Sequence, residues 1–258
     1  GAQPAWRLNA GIRVMINEPW YEPMSEDRTE NKRRVYGRRY GRPLRKRRKA
    51  LLTEALSRYE INLSGHEPLV APEALFPRPF DAYWLEIGFG GGEHLAAQAT
   101  AHSDIGFIGC EPFINGVASL LQHIEEGQLS NVRLLADDAR LLLDRMPDAS
   151  IGRAFVLFPD PWPKKRHARR RIMSPDTVAR LARILKPGAE LRFASDSPDY
   201  VRWTLEIMMR STAFEWQAER PADWRDRPGD WPATRYEGKA GAAGRPCAYL
   251  RFRRLPDR

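Results

Sequence analysis

Short apolar runs alternate with amphipathic helical patterns from residue 81 to about residue 209. The runs predict strands at residues 83–87, 105–111, 132–137, 154–158 and 190–194. Helical patterns lie at residues 93–101, 114–126, 139–146, 175–185 and 198–209, and two further apolar runs follow at residues 214–218 and 248–252. Strands that alternate with helices predict an α/β fold, in which helices cover both faces of a mostly parallel sheet.

The chain before this region has a different character. Residues 1–50 show little apolar periodicity and many charges, so we expect a basic, flexible or extended N-terminal arm. Residues 49–60 have the spacing of a short amphipathic helix. We therefore expect residues 51–258 to form a single domain that follows the arm.

Positive charge is concentrated in two segments of the chain. The formal net charge is +9, and residues 28–49 alone hold twelve Lys or Arg against one acid, Glu30. Residues 164–171 hold six Lys or Arg side chains and His167. Clustered positive charge favours a polyanionic partner such as RNA, although a disordered basic tail explains the first cluster equally well.

The composition disfavours several classes of protein. No stretch approaches eighteen uninterrupted apolar residues, so we expect no membrane-spanning helix. Cys110 and Cys247 are too few for a disulfide framework, and neither they nor the scattered histidines have metal-ligand spacing. We therefore expect a cytoplasmic protein that uses no metal.

Glycines and acidic residues follow the predicted strands, at the edge where open α/β sheets bind ligands. The first strand leads into Glu86-Ile87-Gly88-Phe89-Gly90-Gly91-Gly92, whose glycines allow a sharp turn and the close approach of a ligand. The second ends in Glu111, where a carboxylate can accept hydrogen bonds from ribose hydroxyls. The third ends in Asp137-Asp138, where a side chain can accept from an adenine amino group. This pattern predicts a cofactor that contains adenosine.

Two cofactors fit the pattern, a nicotinamide dinucleotide and S-adenosylmethionine (SAM). The glycine loop departs from the G-x-G-x-x-G register because residue 93 is Glu, at the helix start that a pyrophosphate would approach. A carboxylate there repels an anion but tolerates a sulfonium cation, and Glu86 adds negative charge nearby. The acidic residues therefore favour SAM.

The predicted fourth strand leads into the string Phe158-Pro159-Asp160-Pro161-Trp162-Pro163-Lys164-Lys165-Arg166-His167. Three prolines make this loop stiff, so Asp160 and Trp162 can be held in fixed positions beside the cofactor. Trp162 offers a face for stacking, Asp160 can accept from base N–H groups, and the basic residues that follow suit phosphates. A rigid turn around a buried Trp is the alternative interpretation, but it does not explain the basic run.

These strings resemble the bacterial tRNA (guanine-N7-)-methyltransferases, the TrmB family. The most specific matches are the Asp-Pro-Trp string and the later Thr234-Arg235-Tyr236-Glu237-Gly238-Lys239. The resemblance extends from about residue 33 to residue 253. It implies a class I SAM-dependent methyltransferase fold, with a Rossmann-like, seven-stranded, mostly parallel sheet. Both a monomer and a homodimer are compatible with the family.

The resemblance also implies roles for individual residues. Cofactor contacts are implied for Glu86, Gly88, Phe89, Gly90, Glu111, Asp138 and Asp160. Contacts with the tRNA substrate are implied for Lys164, Asp196, Thr234, Arg235, Tyr236 and Glu237. Alignment on Ala139 favours Asp138 over Asp137 as the adenine contact.

The implied reaction is methylation of N7 of a guanine in tRNA, the variable-loop guanine at tRNA position 46 by resemblance, to form 7-methylguanosine. Guanine N7 carries an in-plane lone pair and no proton, so no base must first deprotonate it, and catalysis comes mainly from proximity and orientation. We expect Asp160 to be the catalytic residue, as an orienting and electrostatic carboxylate. Two alternatives stay open: methylation of an exocyclic amino group, and a non-catalytic RNA-binding protein on a SAM-binding fold.

Overall fold

The computed structural model describes residues 6–9, 12–15, 36–64 and 69–257. Its first elements are two short antiparallel strands, β1 (Trp6–Asn9) and β2 (Ile12–Met15), and two helices, α1 (Lys46–Glu54) and α2 (Leu56–Tyr59). We expected no regular structure before residue 49 and one helix after it. The strand pair, the earlier start of α1 and the break before α2 are therefore differences from the sequence prediction.

The remaining elements alternate along the chain as predicted. The strands are β3 (Ala82–Ile87), β4 (Ile105–Cys110), β5 (Val132–Leu135), β6 (Ile151–Leu157), β7 (Leu185–Ser195), β8 (Phe214–Trp216) and β9 (Ala248–Arg254). The helices are α3 (Glu93–Ala101), α4 (Ile114–Gly127), α5 (Ala139–Leu143), α6 (Pro175–Ile184), α7 (Pro198–Arg210), α8 (Ala222–Arg225) and α9 (Arg235–Ala242). Short 3-10 helices lie at Pro72–Leu75 and Lys165–Arg170. No element was predicted at α8 or α9.

Seven strands form one mixed sheet in the order β5-β4-β3-β6-β7-β9-β8. The five strands from β5 to β7 in this order are parallel, whereas β9 runs antiparallel to both β7 and β8. The strand order reverses at β3, which lies between β4 and β6. Open α/β sheets form ligand crevices at such a reversal, outside the carboxyl ends of the strands.

The sheet separates two apolar layers, as the side chains of β4 demonstrate. Ile108 and Cys110 belong to the layer that contains the buried residues of α5, α6 and α7. Ile105 and Phe107 belong to the layer that contains those of α3 and α4. Because successive side chains of a strand point to opposite faces, helices cover both faces of the sheet. The predicted α/β architecture is confirmed, and the faces of the central strands are closed to ligands.

Candidate functional site

A cavity of about 340 Å³ opens beyond the carboxyl ends of β3 to β6. It brings together segments that are far apart in the sequence. Its lining includes Tyr36, Gly37, Arg38, Gly88, Gly90, Glu111, Asp138, Asp160, Trp162, Arg170 and Tyr236. The glycine loop, two of the strand-end acids and the Asp-Pro-Trp loop therefore share one cavity, as convergence of the strand ends predicts.

The glycine loop has a backbone that favours glycine. Gly88 and Gly90 have φ values of +75° and +55°, in the left-handed region that side chains disfavour. A Cβ atom at Gly88 would meet no atom within 4 Å, whereas one at Gly90 would lie 3.1 Å from the ring of Tyr236. Phe89 is buried in the apolar layer with α3 and α4, so only its backbone is available to a ligand.

Glu111 is a buried carboxyl group held by two backbone donors. Its Oε2 accepts a hydrogen bond from Gly90 N–H at 2.8 Å, and its Oε1 accepts one from Phe113 N–H at 2.9 Å. Burial raises the pKa of Glu111 to about 7, against these two hydrogen bonds, and the nearby Asp160 and Glu86 add to the rise. The carboxyl group thus bridges the glycine loop and the start of α4, and Glu111 is among the residues that line the cavity.

Asp138 and Asp137 occupy different environments. Asp138 is buried, lines the cavity and caps α5, where its Oδ1 accepts a hydrogen bond from Arg140 N–H at 2.9 Å. Asp137 accepts a hydrogen bond from Asp138 N–H at 2.7 Å and lies 3.9 Å from the guanidinium of Arg39. Of the two carboxylates, the structure thus places Asp138 at the cavity.

Glu86 lies in the buried part of β3, beneath the glycine loop. Its Oε2 is 2.7 Å from Nδ1 of His94, the second residue of α3, and both residues are buried. Glu86 is not among the residues that line the cavity. Its carboxylate connects β3 to α3, and a direct contact with a cofactor remains a prediction.

The Asp-Pro-Trp loop has a strained backbone on both sides of Asp160. Phe158 and Trp162 have φ values of +50° and +42°, which are uncommon for residues other than glycine. The Asp160 carboxylate is open to the cavity, and the partial burial it has there raises its pKa. A Cβ atom at Gly37 would lie 3.6 Å from Oδ2 of Asp160, so the segment before α1 reaches the same carboxylate.

Two features were not found among the described residues, a cluster of metal-binding side chains and a membrane-spanning helix. In the part of the chain that the structure describes, no three His, Cys, Asp or Glu side chains lie close enough together to hold a metal ion. None of the described helices combines the length and the apolar character needed to cross a bilayer.

Comparison with known proteins identifies the family. The model of a family described as "Putative methyltransferase" matches residues 81–250. A tRNA (guanine-N(7)-)-methyltransferase of Rhodospirillum rubrum is 52% identical over 235 residues, which are 90% of this chain and 92% of that protein. A relative of the same name from Azorhizobium caulinodans is 50% identical over 88% of this chain and 97% of its own. The chain belongs to the tRNA (guanine-N7)-methyltransferase family.

Solved structures share the fold of this family member at low sequence identity. The 16S rRNA methyltransferase KamB aligns with a TM-score of 0.50 and 16% identity, over 69% of this chain and 89% of that chain. The likeness confirms the class I methyltransferase fold that the sequence predicted.

Two residues that the tRNA (guanine-N7)-methyltransferase resemblance assigns to the substrate, Lys164 and Asp196, are not among the residues that line the cavity. Lys164 is exposed and directly precedes the 3-10 helix at Lys165–Arg170. Asp196 follows β7, and its Oδ2 accepts a hydrogen bond from Nε of Arg245 at 2.8 Å. Asp196 is therefore already paired with a cation in the free protein.

The late Thr-x-Tyr-Glu string forms the start of α9. The Thr234 hydroxyl accepts a hydrogen bond from Glu237 N–H at 3.2 Å, and Glu237 Oε2 accepts one from Thr234 N–H at 3.4 Å. This capping box satisfies two backbone donors of the helix. It presents Tyr236 to the cavity, and Arg235 lies 3.9 Å from Glu93. Thr234 and Glu237 thus have a structural role in the free protein, beside the predicted contact with substrate.

The sequence did not predict that Arg170 and Arg171, neighbours in the basic run at residues 164–171, have different environments. The Arg170 guanidinium lines the cavity, 5.0 Å from the ring of Trp162 and 5.4 Å from that of Tyr36. Arg171 points the other way and is only 3% exposed. Burial removes Arg171 from any polyanion, so not all the positive charge of this run is available to bind phosphates. Nothing in a run of three arginines distinguishes these positions before the 3-10 helix orients them.

Proposed function

We propose that this protein transfers the methyl group of SAM to N7 of a guanine in tRNA. The observation that supports the proposal is the shared cavity. It combines acids suited to adenosine with Asp160 and Trp162, in a chain about 50% identical to proteins named tRNA (guanine-N(7)-)-methyltransferase. Family membership supports the reaction, and the lining of the cavity supports our proposal for which residues contribute to it.

The donor set of the cavity fits SAM. When bound, SAM supplies an electrophilic methyl group on a sulfonium centre. Gly88 leaves open space for close approach, Glu111 offers lone pairs to the ribose hydroxyls, and Asp138 offers a carboxylate oxygen to the adenine amino group. Together with Asp160, these carboxylates favour a positively charged ligand. SAM carries a sulfonium cation, whereas a nicotinamide dinucleotide carries an anionic pyrophosphate.

Asp160 and Trp162 would hold the target base. Trp162 offers a ring for stacking, and the Asp160 carboxylate can accept hydrogen bonds from the N1 and N2 edge of guanine. The purine gains positive charge as N7 is methylated, so a fixed carboxylate at that edge is favoured more strongly in the transition state than in the ground state. Asp160 therefore orients the base and stabilises charge, and it removes no proton from N7.

The basic segments would bind the tRNA backbone. Arg38, Arg42 and Arg45 are exposed in the segment that leads from the cavity to α1, and Lys164 is exposed on the other side of Asp160. Cationic side chains of this kind bind the phosphates of a nucleic acid. Such contacts position the tRNA without reading its base sequence. We assign the target by family resemblance to the variable-loop guanine at tRNA position 46.

Nucleoside analysis after incubation with labelled SAM and an unmodified tRNA transcript tests the proposal. We expect labelled 7-methylguanosine, cleavage of the product by borohydride and aniline at position 46, and no label in a transcript with adenine there. Label in a methylamino base would instead support the exocyclic alternative. SAM binding by calorimetry without any methylated nucleoside would support a non-catalytic RNA-binding protein.

A further inference from the structure

The Asp-Pro-Trp loop has few backbone hydrogen-bond donors that could stabilise its conformation. Pro159, Pro161 and Pro163 have no N–H group, so the loop has few donors with which to stabilise itself. Trp162 is in the left-handed region and precedes a proline, where steric contact with the ring disfavours helical conformations. A loop of this kind keeps one conformation only when its surroundings hold it, through the carbonyl groups that remain.

Arg171 supplies that support from outside the loop. Its Nε donates a hydrogen bond to the Pro161 carbonyl at 2.8 Å, and its Nη2 reaches the Trp162 carbonyl at 3.5 Å. The two carbonyls flank the strained residue, so one planar guanidinium contacts the main chain on either side of the bend.

The first two turns of α7 fix the guanidinium in turn. Nη2 of Arg171 pairs with the Asp199 carboxylate, and the guanidinium lies 4.9 Å from the ring of Tyr200 and 5.0 Å from that of Trp203. Residue 203 lies about one helical turn beyond residues 199 and 200, so all three side chains can contact one guanidinium. A chain of contacts therefore leads from α7 through Arg171 to the loop that carries Asp160.

We propose that Arg171 is a positioning residue, which holds Asp160 and Trp162 in the pose that methyl transfer requires. The proposal rests on the function proposed above, and it assigns to Arg171 an effect on the rate without any contact with substrate or cofactor. Removal of its donors frees the loop to adopt other conformations, so the bound base and the carboxylate lose their alignment. Methyl transfer is then slowed, whereas SAM is still bound by the glycine loop, Glu111 and Asp138.

Substitution Arg171→Met tests this, with Arg254→Met as the matched control. Arg254 is also a buried arginine, 6% exposed, whose Nε donates to a backbone carbonyl, that of Ala182, and whose guanidinium pairs with Asp257. It lies at the end of β9, at the opposite edge of the sheet from the cavity. Both substitutions remove a buried guanidinium that donates to backbone carbonyls and pairs with an aspartate, but only that of Arg171 contacts the Asp-Pro-Trp loop.

The readouts are the single-turnover rate with saturating enzyme and SAM, expressed per SAM site counted by calorimetry, and amide exchange of the peptide 158–171. For Arg171→Met we expect a rate at least about tenfold lower, a SAM Kd within about twofold of wild type, and faster exchange in the loop. Arg171→Lys, which keeps one donor group, should have an intermediate rate. For Arg254→Met we expect a lower Tm with an unchanged rate per site.

A rate per site within twofold of wild type in Arg171→Met, or unchanged exchange in the loop, would overturn the proposal. If Arg171→Met does not fold, Asp199→Ala replaces it, since that substitution removes an exposed carboxylate and loosens the same guanidinium. A lowered rate would then support the proposal and an unchanged one would refute it. If wild type itself forms no 7-methylguanosine, the proposed function fails, and amide exchange still shows whether Arg171 holds the loop.

Discussion

Two opposing influences set the pKa of Glu111 at the proposed cofactor site. Burial favours its neutral form, and the N–H groups of Gly90 and Phe113 favour the charged form. The neutral form donates one proton and accepts less well, so it suits ribose hydroxyls less than the carboxylate does. Protonation of Glu111 and binding of SAM should therefore compete.

The pH dependence of SAM binding follows from this competition. With a pKa of about 7 for Glu111 in the free protein, we expect the SAM Kd to rise as the pH falls below about 7, by up to tenfold per pH unit. Calorimetric titrations between about pH 6 and pH 8.5 measure it. Glu111→Gln should bind SAM more weakly, with a Kd that changes little over this range. A flat wild-type Kd would contradict the assignment.

The stability of the free protein should change with pH in the opposite sense. A carboxyl group with a raised pKa in the folded state contributes stability below its unfolded-state pKa, and that contribution is lost as the pH rises through the folded-state pKa. For Glu111 this loss of stability falls between pH 4.5, the ordinary pKa of a glutamate, and about pH 7, its pKa in the folded protein. Urea titrations of wild type and Glu111→Gln isolate it, since the variant should lack this component of the pH dependence.

Two roles can be distinguished for Asp160, an orienting and electrostatic carboxylate and a base that transfers a proton. If its charge orients guanine and stabilises the purine that forms, Asp160→Asn should lower the single-turnover rate by roughly 10- to 100-fold, with SAM and tRNA binding changed far less. Asp160→Glu keeps the charge but shifts it by one methylene, so it serves as the control for geometry. Wild-type turnover in Asp160→Asn would exclude the role.

Some residues of the cavity could be predicted from the sequence and others could not. Gly88 and Glu111 directly follow β3 and β4, and Asp138 lies in the turn after β5, which ends at Leu135. The carboxyl ends of these neighbouring parallel strands meet at one edge of the sheet. Arg170 and Arg171 are chemically identical neighbours, and only the 3-10 helix directs one to the cavity and buries the other. Their difference depends on three-dimensional packing, which no local pattern encodes.

At the scale of elements, the best-predicted helices have strong amphipathic patterns or clear starts. Ser174 followed by Pro175 caps α6 as expected. By contrast, α9 was missed although Thr234 and Glu237 have capping-box spacing, because Gly238 and Gly241 lower its helix propensity. Its stability comes from outside the helix as well, since Glu237 Oε1 accepts a hydrogen bond from the Tyr249 hydroxyl of β9 at 2.7 Å.

The capping box of α9 gives a prediction for this element. Thr234→Ala should destabilise the helix by about 1 kcal/mol, because Glu237 N–H loses its partner. Amide exchange in residues 235–242 measures the loss, and Thr234→Ser should restore protection because serine retains the hydroxyl. Since α9 presents Tyr236 to the cavity, the alanine variant should also methylate tRNA more slowly at subsaturating tRNA. Unchanged exchange in Thr234→Ala would mean that the contacts of Glu237 alone sustain the helix.

For the binding of tRNA, the distribution of charge over the molecule should matter more than its net charge of +9. Exposed arginines of the segment before α1 lie on the cavity side, where Asn115 at the start of α4 holds the backbone of Gly41 and Arg42 through hydrogen bonds of 2.8 Å. Exposed basic residues also lie at the opposite edge of the sheet, such as Arg78 before β3 and Lys186 at the start of β7. A tRNA bound at the cavity should interact with the first set and not with the second.

The salt dependence of tRNA binding shows which of the two sets of basic residues contacts the tRNA. Each phosphate neutralised by a cationic side chain adds about 0.7 to 0.9 to the slope of log Kd against log salt, through release of counterions. The double substitution Arg42→Ala and Arg45→Ala should therefore weaken binding and reduce the slope by up to about 1.5, whereas Arg78→Ala with Lys186→Ala, which removes the same charge, should leave the slope unchanged. The SAM Kd serves as an internal reference, because the proposed SAM site lies inside the cavity and SAM binding should not respond to either pair of substitutions. Equal slopes for both pairs would mean that net charge alone attracts tRNA, and that the segment before α1 is no part of the tRNA footprint.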